Sequence, residues 1–362
     1  MKYFFVLGRN PLLSMAEIAS YLEGRGVSWT EIFFKRNLLV IDCDFEFAVQ
    51  DFGGIVKLGK IEFEGTSNEF ESFLEGSDLV DKNKFSYCVI GNLDEEIFQK
   101  KFKSQSQRAI IRRGRKALKL QTGDSMLVPN AEFEFFAYEF EDKIYFGKVS
   151  EDYSFAEVKK RDMKKPIRRE SLAISPRLGK IMINLSQVQK GGLLLDGFCG
   201  VGGILIEALV KEINVYGIDK DAGAINQCRQ NLKWLEKNYK INATWKLFND
   251  DVRRAPNIRF DAVVSEPALG ELQRSKPSDK KAEAILNSFE KLIIPVLQRL
   301  VKLKKPGAKI VLTSPYIRNY SLDWDIVCKR TGLKVNQIKG LEMKIKEKRD
   351  EQFVGREIVV LV

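Results

Sequence analysis

A glycine-rich segment from Asp196 to Gly203 has the residue types and spacing that point most directly to chemistry. It reads Asp-Gly-Phe-Cys-Gly-Val-Gly-Gly and follows the buried strand predicted for Leu193 to Asp196. Glycines permit positive φ in a strand-to-helix turn, and the free N–H groups of the helix that follows attract anions. The segment predicts a nucleotide-binding turn, although a glycine turn that serves sheet geometry alone is the alternative. The candidate residues are Asp196, Phe198, Gly200, Gly202 and Gly203.

Carboxylates follow the next two predicted strands. Asp219 ends the strand Val215 to Asp219, 19 residues after Gly200, where an acidic side chain can accept both ribose hydroxyls. Asp250 and Asp251 end the third strand, where a carboxylate can accept from an adenine amino group. An acid in front of the glycines suits a ligand with an ammonium group. These residues predict a nucleotide cofactor, with a Rossmann-like fold whose site is empty or lost as the alternative.

The chain of 362 residues contains no histidine, which excludes several mechanisms. Ser-His-Asp and Cys-His catalysis, an imidazole base and His-ligated zinc or iron are all ruled out. The 5 cysteines are scattered without a CxxC pair, so we expect reduced thiols, no metal site and a cytoplasmic location. No stretch is long and apolar enough to predict a membrane helix.

Two separately built cores are predicted to carry these residues. Of 24 phenylalanines, 19 lie at or before Phe155, in a region whose short strands and helices predict an α+β fold. From about Ile181, strands alternate with helices, which is typical of a doubly wound α/β sheet. The predicted boundaries are an N-terminal α+β part (1–55), a second α+β part (56–150), a basic linker (151–180) and a Rossmann-like domain (181–362).

Two clusters of basic residues contribute much of the net charge of +11. Between Lys100 and Lys119 there are 9 of them and no acid, and a second cluster lies on the linker. Like charges repel, so such a run favours phosphate binding over its alternative, a solvated helix face. The candidate RNA-binding residues are Lys100, Lys101, Lys103, Arg108, Arg112, Arg113, Arg115, Lys116, Lys119, Lys164, Lys165, Arg168 and Arg169.

Several motifs together resemble those of the archaeal-type, THUMP-containing, S-adenosylmethionine-dependent tRNA (guanine-10-N2)-methyltransferases. The glycine turn and the strand after it have the form DxFCGxGxxxxEA followed by GxD, and the resemblance extends over nearly the whole chain. Its other parts are the opening FVLGRNPLLSMAEI, the segments YSFAEVKKRDMKKPIRR and ISPRLGKIMINL, and the ending FVGREIVVLV.

The resemblance implies a role for each part of the chain. Asp196 and the loop Gly200 to Gly203 would hold the methionine end of S-adenosylmethionine, Asp219 the ribose, and Asp251 with its neighbour Asp250 the adenine. The N-terminal region would be ferredoxin-like over 1–55 and THUMP-like over 56–150, and would grip tRNA. The domain over 181–362 would be a class I methyltransferase.

The loop after the fourth strand departs from the family pattern. The family carries a (D/N/S)-P-P-(Y/F) element here, whose oxygens accept from the target amine and whose aromatic ring stacks on the base. This chain has Ser265, Glu266, Pro267 and then Ala268. Losing the stacking ring weakens base positioning by about 1–3 kcal/mol unless another ring substitutes, and Phe198 and Tyr316 are the candidates. Ser265, Glu266 and Pro267 are the predicted catalytic residues.

The function implied by the resemblance is methylation of the exocyclic N2 amine of a guanosine in tRNA, at position 10. Two alternatives stay open, namely another RNA or DNA amino-methyltransferase and a non-catalytic RNA-binding protein with a degenerate methyltransferase fold. The expected partner is tRNA, with a small activator subunit left open, and we expect a monomer without membrane association.

Neutralising Arg112, Arg113 and Arg115 together tests the first basic cluster. If these side chains bind phosphates, the triple variant binds tRNA more weakly and releases fewer counterions, so the slope of log affinity against log salt becomes shallower by about 0.7–0.9 per lost phosphate contact. Binding titrations over a range of salt concentrations measure that slope. An unchanged slope would contradict the assignment.

Overall fold

The computed structural model describes residues 1–113, 117–119, 125–127, 131–169, 174–271, 273, 275–348 and 352–362, with residues 117–119 and 125–127 described by their backbone alone. The chain forms two compact units. The first comprises Met1–Met15, Val27–Gln50 and Gly54–Tyr153. The second comprises Ala16–Gly26, Asp51–Gly53 and Ser154–Val362. The domain boundaries expected from the sequence stay predictions.

The strands and helices of the described residues are numbered in chain order. The strands are β1 (Lys2–Leu7), β2 (Trp29–Lys35), β3 (Leu38–Cys43), β4 (Ile55–Lys60), β5 (Phe63–Gly65), β6 (Lys84–Gly91), β7 (Arg108–Ile111), β8 (Ala117–Lys119), β9 (Ser125–Leu127), β10 (Phe133–Phe140), β11 (Lys143–Lys148), β12 (Glu151–Asp152), β13 (Leu193–Asp196), β14 (Asn214–Asp219), β15 (Trp245–Asn249), β16 (Phe260–Ser265), β17 (Lys304–Ile317), β18 (Gln337–Ile338), β19 (Leu341–Glu342), β20 (Lys344–Glu347) and β21 (Val354–Leu361). The helices are α1 (Pro11–Glu23), α2 (Ser67–Gly76), α3 (Glu95–Ser104), α4 (Phe155–Lys164), α5 (Pro176–Leu185), α6 (Gly203–Val210), α7 (Ala222–Asn238), α8 (Asp279–Leu303) and α9 (Trp324–Thr331).

The first unit is built from two five-stranded sheets. One is antiparallel, in the order β12-β4-β1-β3-β2, and the other is mixed, in the order β5-β11-β10-β6-β7. Strand β10 contributes side chains to a core on each of its two faces, because successive side chains of a strand point to opposite sides of the sheet. Phe135 packs with the rings of α2 and α3, whereas Phe136 stacks on Phe4 of the other sheet at 4.4 Å between ring centroids. Both phenylalanine cores of this α+β region therefore meet at one strand.

The second unit contains a seven-stranded sheet in the order β15-β14-β13-β16-β17-β21-β20. The first five strands of that order are parallel, and β21 and β20 are antiparallel additions. The chain starts in the middle at β13, goes outward to β15 and returns to β16, as in a doubly wound fold. The expected α/β class is confirmed. Four apolar residues at helical spacing in the sequence are buried on α7, namely Ile225, Cys228, Leu232 and Leu235.

Part of the expected basic linker is a helix that packs within the second unit. The guanidinium of Arg161 on α4 donates two hydrogen bonds, of 3.2 and 3.0 Å, to the carboxylate of Glu207 on α6, and both side chains are buried. A buried ion pair of this two-bond geometry compensates the desolvation of both charges and fixes orientation. Over the described ranges, no helix combines the length and the apolar character needed to cross a membrane.

Candidate cofactor and amine site

The candidate residues meet because four neighbouring parallel strands end at one edge of the sheet. Strands β13, β14, β15 and β16 end at Asp196, Asp219, Asn249 and Ser265. In open α/β sheets, ligands bind outside this carboxyl edge, at the point where the strand order reverses. That point lies here between β13 and its neighbours β14 and β16.

Asp196 is buried at the centre of this edge and accepts two hydrogen bonds, and a third bond joins its neighbour Gly197 to Ser265. The Ser265 hydroxyl donates to Asp196 Oδ1 at 2.8 Å, the Phe198 N–H donates to the same oxygen at 3.1 Å, and the Gly197 N–H donates to Ser265 Oγ at 2.8 Å. Burial raises the pKa of the Asp196 carboxyl to about 7, against the lowering effect of the hydrogen bonds from Ser265 and Phe198. Ser265 therefore ties the start of the glycine turn to the loop after β16.

The glycine turn uses left-handed backbone at two positions. Gly200 has φ of 50°, and its N–H donates to Asp219 Oδ2 at 2.9 Å. Gly202 has φ of 89° at the N-terminus of α6, and a Cβ there would lie 2.7 Å from the Cys228 sulfur. Glycine is suited to both positions, because a larger residue would be strained and, at Gly202, would clash. Gly203 is the first residue of α6.

The acidic residues of the next two strands are individually ordered. Asp219 Oδ1 also accepts the Asp221 N–H at 2.9 Å. The guanidinium of Arg253 binds Asp251, with Nε at 2.9 Å and Nη2 at 2.6 Å from the carboxylate oxygens, and these hydrogen bonds lower the pKa of Asp251 to about 2. Arg254 binds Asp250 and lowers its pKa in the same way. Asp250 and Asp251 are thus held in geometries that favour their ionised form.

A cavity of about 480 Å³ opens over this edge. Its size lies within the range of roughly 300–1,000 Å³ found for small-molecule and cofactor sites. The lining includes seven of the predicted cofactor-binding and catalytic residues, namely Phe198, Gly200, Asp219, Asp250, Asp251, Glu266 and Pro267. Asp196, Gly202, Gly203 and Ser265 are described but lie outside the lining, where they support the turn and the loop.

Glu266 is partly buried and pairs with an arginine from the far end of the chain. Arg356 Nε donates to Glu266 Oε1 at 2.5 Å, and the two side chains are 17% and 11% exposed. Burial raises the pKa of Glu266, and the positive charge of Arg356 opposes that rise. The departure from the family pattern at Glu266 therefore comes with a positively charged partner that is itself only 17% exposed, so Glu266 is not a solvated loop carboxylate.

The site also contains residues that the sequence reasoning missed. Phe353, Val354 and Arg356 line the cavity from the start of β21. Because β21 is antiparallel to β17, its first residues lie at the edge where the parallel strands end. The signal was present in part, since the residues of the ending FVGREIVVLV are typical of a strand, but the direction of that strand in the sheet could not be obtained from them.

The first basic cluster divides into exposed and buried side chains. Lys100, Lys103, Arg108, Arg112 and Arg113 are exposed, with Arg113 paired to Glu95 at 2.9 Å. Lys101 is buried and donates to the Glu75 carbonyl at 3.2 Å. Arg115 and Lys116 lie outside the described residues, and only the backbone of Lys119 is described.

The second basic cluster is largely engaged within the second unit. Lys164 is exposed, whereas Lys165 is buried and pairs with Asp162 at 2.8 Å. Arg168 lies 3.6 Å from the Asp162 carboxylate. Arg169 lines the cavity and donates to Gln227 at 2.9 Å and to Asp221 at 3.1 Å. Within the described ranges, no group of three or more Cys, Asp or Glu side chains is arranged to hold a metal ion.

Residues 166–298 match the family model UPF0020, described as an RMKL-like methyltransferase domain. This part of the chain is therefore similar to a methyltransferase domain. Its relatives include the tRNA (guanine(10)-N2)-dimethyltransferase of Methanothermobacter thermautotrophicus, which is 34% identical over 118 residues, or 32% of this chain and 33% of the relative. The enzyme of the same name from Pyrococcus abyssi is 26% identical over 207 residues, or 56% of this chain and 55% of the relative.

The methyltransferase fold is also found among solved structures. TrmN from Thermus thermophilus superposes with a TM-score of 0.53 at 13% identity, covering 100% of this chain and 99% of that one. At this identity the match concerns the fold alone. The sequence matches span a third to about a half of the two relatives' lengths, whereas this structural match spans the whole chain.

Asp196→Asn tests the buried carboxyl at the carboxyl edge of the seven-stranded sheet. A carboxyl with a higher pKa in the folded chain favours folding when it is protonated. That contribution is fully present below its unfolded pKa of about 4. It is lost as pH rises through the folded pKa of about 7. We therefore expect the free energy of unfolding, measured by urea denaturation, to fall more between pH 4 and 7 in the wild type than in the variant.

Asp261→Asn is the control, because the pKa of the Asp261 carboxyl is shifted in the direction opposite to that of Asp196. Burial acts to raise the pKa of Asp261, but hydrogen bonds from Lys305 at 2.8 Å and from the Leu193 N–H at 2.9 Å outweigh it, and the pKa is lowered. Its contribution to stability is present above the unfolded pKa and is lost as pH falls through the folded one. If the free energy of unfolding changed with pH in the same way in the wild type and in Asp196→Asn, the raised pKa assigned to Asp196 would be contradicted.

Proposed function

We propose that the protein transfers a methyl group from S-adenosylmethionine to the exocyclic N2 amine of a guanosine in tRNA. The observation that carries the proposal is that Asp219, Asp250, Asp251 and Glu266 all line the same cavity. The names of the relatives support the choice of nucleoside, and guanosine-10 is the position that those names state. The exposed basic residues of the first unit support an RNA substrate.

The residues at the edge of the sheet fit the cofactor. Asp219 ends β14 at the rim of the glycine turn, where its carboxylate can accept from ribose hydroxyls, and Asp250 and Asp251 can accept from the adenine amino group. The carboxylate of Asp196 complements an ammonium group near Gly197, and such a cation would favour its ionised form. S-adenosylmethionine supplies a methyl group on a positively charged sulfonium, so the departure of the sulfur leaving group needs no acid from the protein.

Glu266 is the acceptor for the target amine in this proposal. Arg356 occupies Oε1 and favours the ionised carboxylate, so that Oε2 can accept an N–H of the amine and orient its lone pair. Ser265 was expected to share this role, but its hydroxyl already donates to Asp196. We assign Ser265 to positioning the loop and buried Pro267 to shaping it. No histidine is needed, because the amine loses its proton only after the methyl group has arrived.

The substrate-binding part of the proposal uses the exposed members of the basic clusters. Lys100, Lys103, Arg108, Arg112 and Arg113 are placed to bind phosphates, whereas the buried Lys101 and Lys165 support the fold. We further propose a monomer that acts on tRNA in the cytoplasm, and the need for a small activator subunit stays open.

Incubation with unmodified tRNA and S-adenosylmethionine, followed by nucleoside mass spectrometry, tests the function. We expect N2-methylguanosine or its dimethyl form. Glu266→Gln should lower the rate by about 10- to 150-fold, the effect of losing a hydrogen bond to a charged group. Glu283→Gln, which changes an exposed glutamate of α8, is the matched control and should leave the rate unchanged.

Two results would overturn the proposal. A methylated adenosine or cytidine would indicate another amino-methyltransferase. Tight tRNA binding without any methylated product would indicate a non-catalytic RNA-binding protein. The observation that favours this alternative is the alanine at position 268.

A further inference from the structure

The wall of the cavity contains a phenylalanine ring contributed by the end of the chain. Phe353 lines the cavity one residue before β21 and is 39% exposed. Its neighbours Val354 and Arg356 line the same cavity. An aromatic ring exposed at a cavity wall offers a flat apolar face to a planar ligand.

The other aromatic candidates are less available for this purpose. Phe198 lines the cavity but packs against the hydrophobic core of the second unit. Tyr316 is described but is not part of the lining, and the Lys346 ammonium lies 4.4 Å from the centre of its ring. Ala268 lies in the lining with no ring to offer.

The position of Phe353 is set by the sheet and by an ion pair. Val354 pairs with Ile317 and Arg356 with Pro315 in the antiparallel ladder of β21 and β17. Arg356 is also bound to Glu266, the proposed amine acceptor. The strand that carries Phe353 is thereby joined to the loop that carries Glu266, so a ring and an amine acceptor face one space.

We propose that Phe353 is the platform on which the target base stacks, in place of the ring that is absent at position 268. This inference rests on the proposed function, because it assumes that a base enters the cavity. Stacking of a base on an aromatic ring depends on the presence of a π face and tolerates different bases. Phe353 would therefore supply affinity and orientation, and Glu266 would accept from the amine of the stacked base.

Four variants of the full-length protein test this role. Phe353→Ala should lower kcat/KM for tRNA by about 5- to 150-fold, the range of base–aromatic stacking. Phe353→Leu keeps an apolar side chain but loses the π face, so it should be impaired as well, whereas Phe353→Tyr should retain activity. Phe155→Ala truncates a phenylalanine that is also exposed but lies outside the lining, and should resemble the wild type.

Calorimetry with S-adenosylmethionine separates a base platform from a cofactor wall. We expect the affinity for the cofactor to be unchanged in Phe353→Ala, whose circular dichroism and thermal midpoint report that it folds. Wild-type turnover combined with full activity of Phe353→Ala or of Phe353→Leu would overturn the inference, as would a loss of cofactor affinity that accounts for the whole defect. An inactive wild type would instead contradict the proposed function itself.

Discussion

The Ser265–Asp196 hydrogen bond joins the two halves of the seven-stranded sheet at the point where its strand order reverses. Strand β13 and strand β16 are neighbours, but the residues that end them are 69 positions apart in the chain. The hydroxyl of Ser265 reaches both the Asp196 carboxylate and the Gly197 N–H. This bond couples the turn proposed to hold the cofactor to the loop proposed to hold the amine, so the two proposed sites share one support.

Two carboxylates of the second unit that would be costly alone are paired with guanidinium groups. Glu266 is partly buried with Arg356, and Glu207 is buried with Arg161. Removing one member of the buried pair is costly because the other is left uncompensated. Both pairs join distant segments, since Arg356 belongs to the last strand and Arg161 to α4. The pair of Glu266 with Arg356 joins two segments that line the cavity.

The parts of the site that local spacing determines could be predicted from the sequence. The glycine turn, Asp219, and the acids after the third strand are each set by a strand followed by a turn, and the parallel sheet then brings them together. The expected fold class is confirmed for the same reason, because alternation of buried strands with amphipathic helices is visible in one sequence. The assignments of individual residues to ligands stay predictions.

The parts that long-range pairing determines could not be predicted. The role of Ser265 depends on a contact across 69 positions, and that of Arg356 on a contact across 90. The burial of Lys101 and Lys165 depends on packing that a charge run does not reveal, so the run overstated the number of cations free to bind phosphate. Phe353 escaped notice because a strand can be recognised from its residues while its direction in the sheet cannot.

The central claim is that the cavity over the carboxyl edge binds S-adenosylmethionine through Asp219. Isothermal titration calorimetry of the wild type and Asp219→Asn measures this directly, because the substitution keeps the size of the side chain and removes its charge. The account predicts one site per chain and an affinity about 10- to 150-fold lower in the variant, as for a hydrogen bond to a charged group. Equal affinities in the two proteins, or no binding to the wild type, would contradict it.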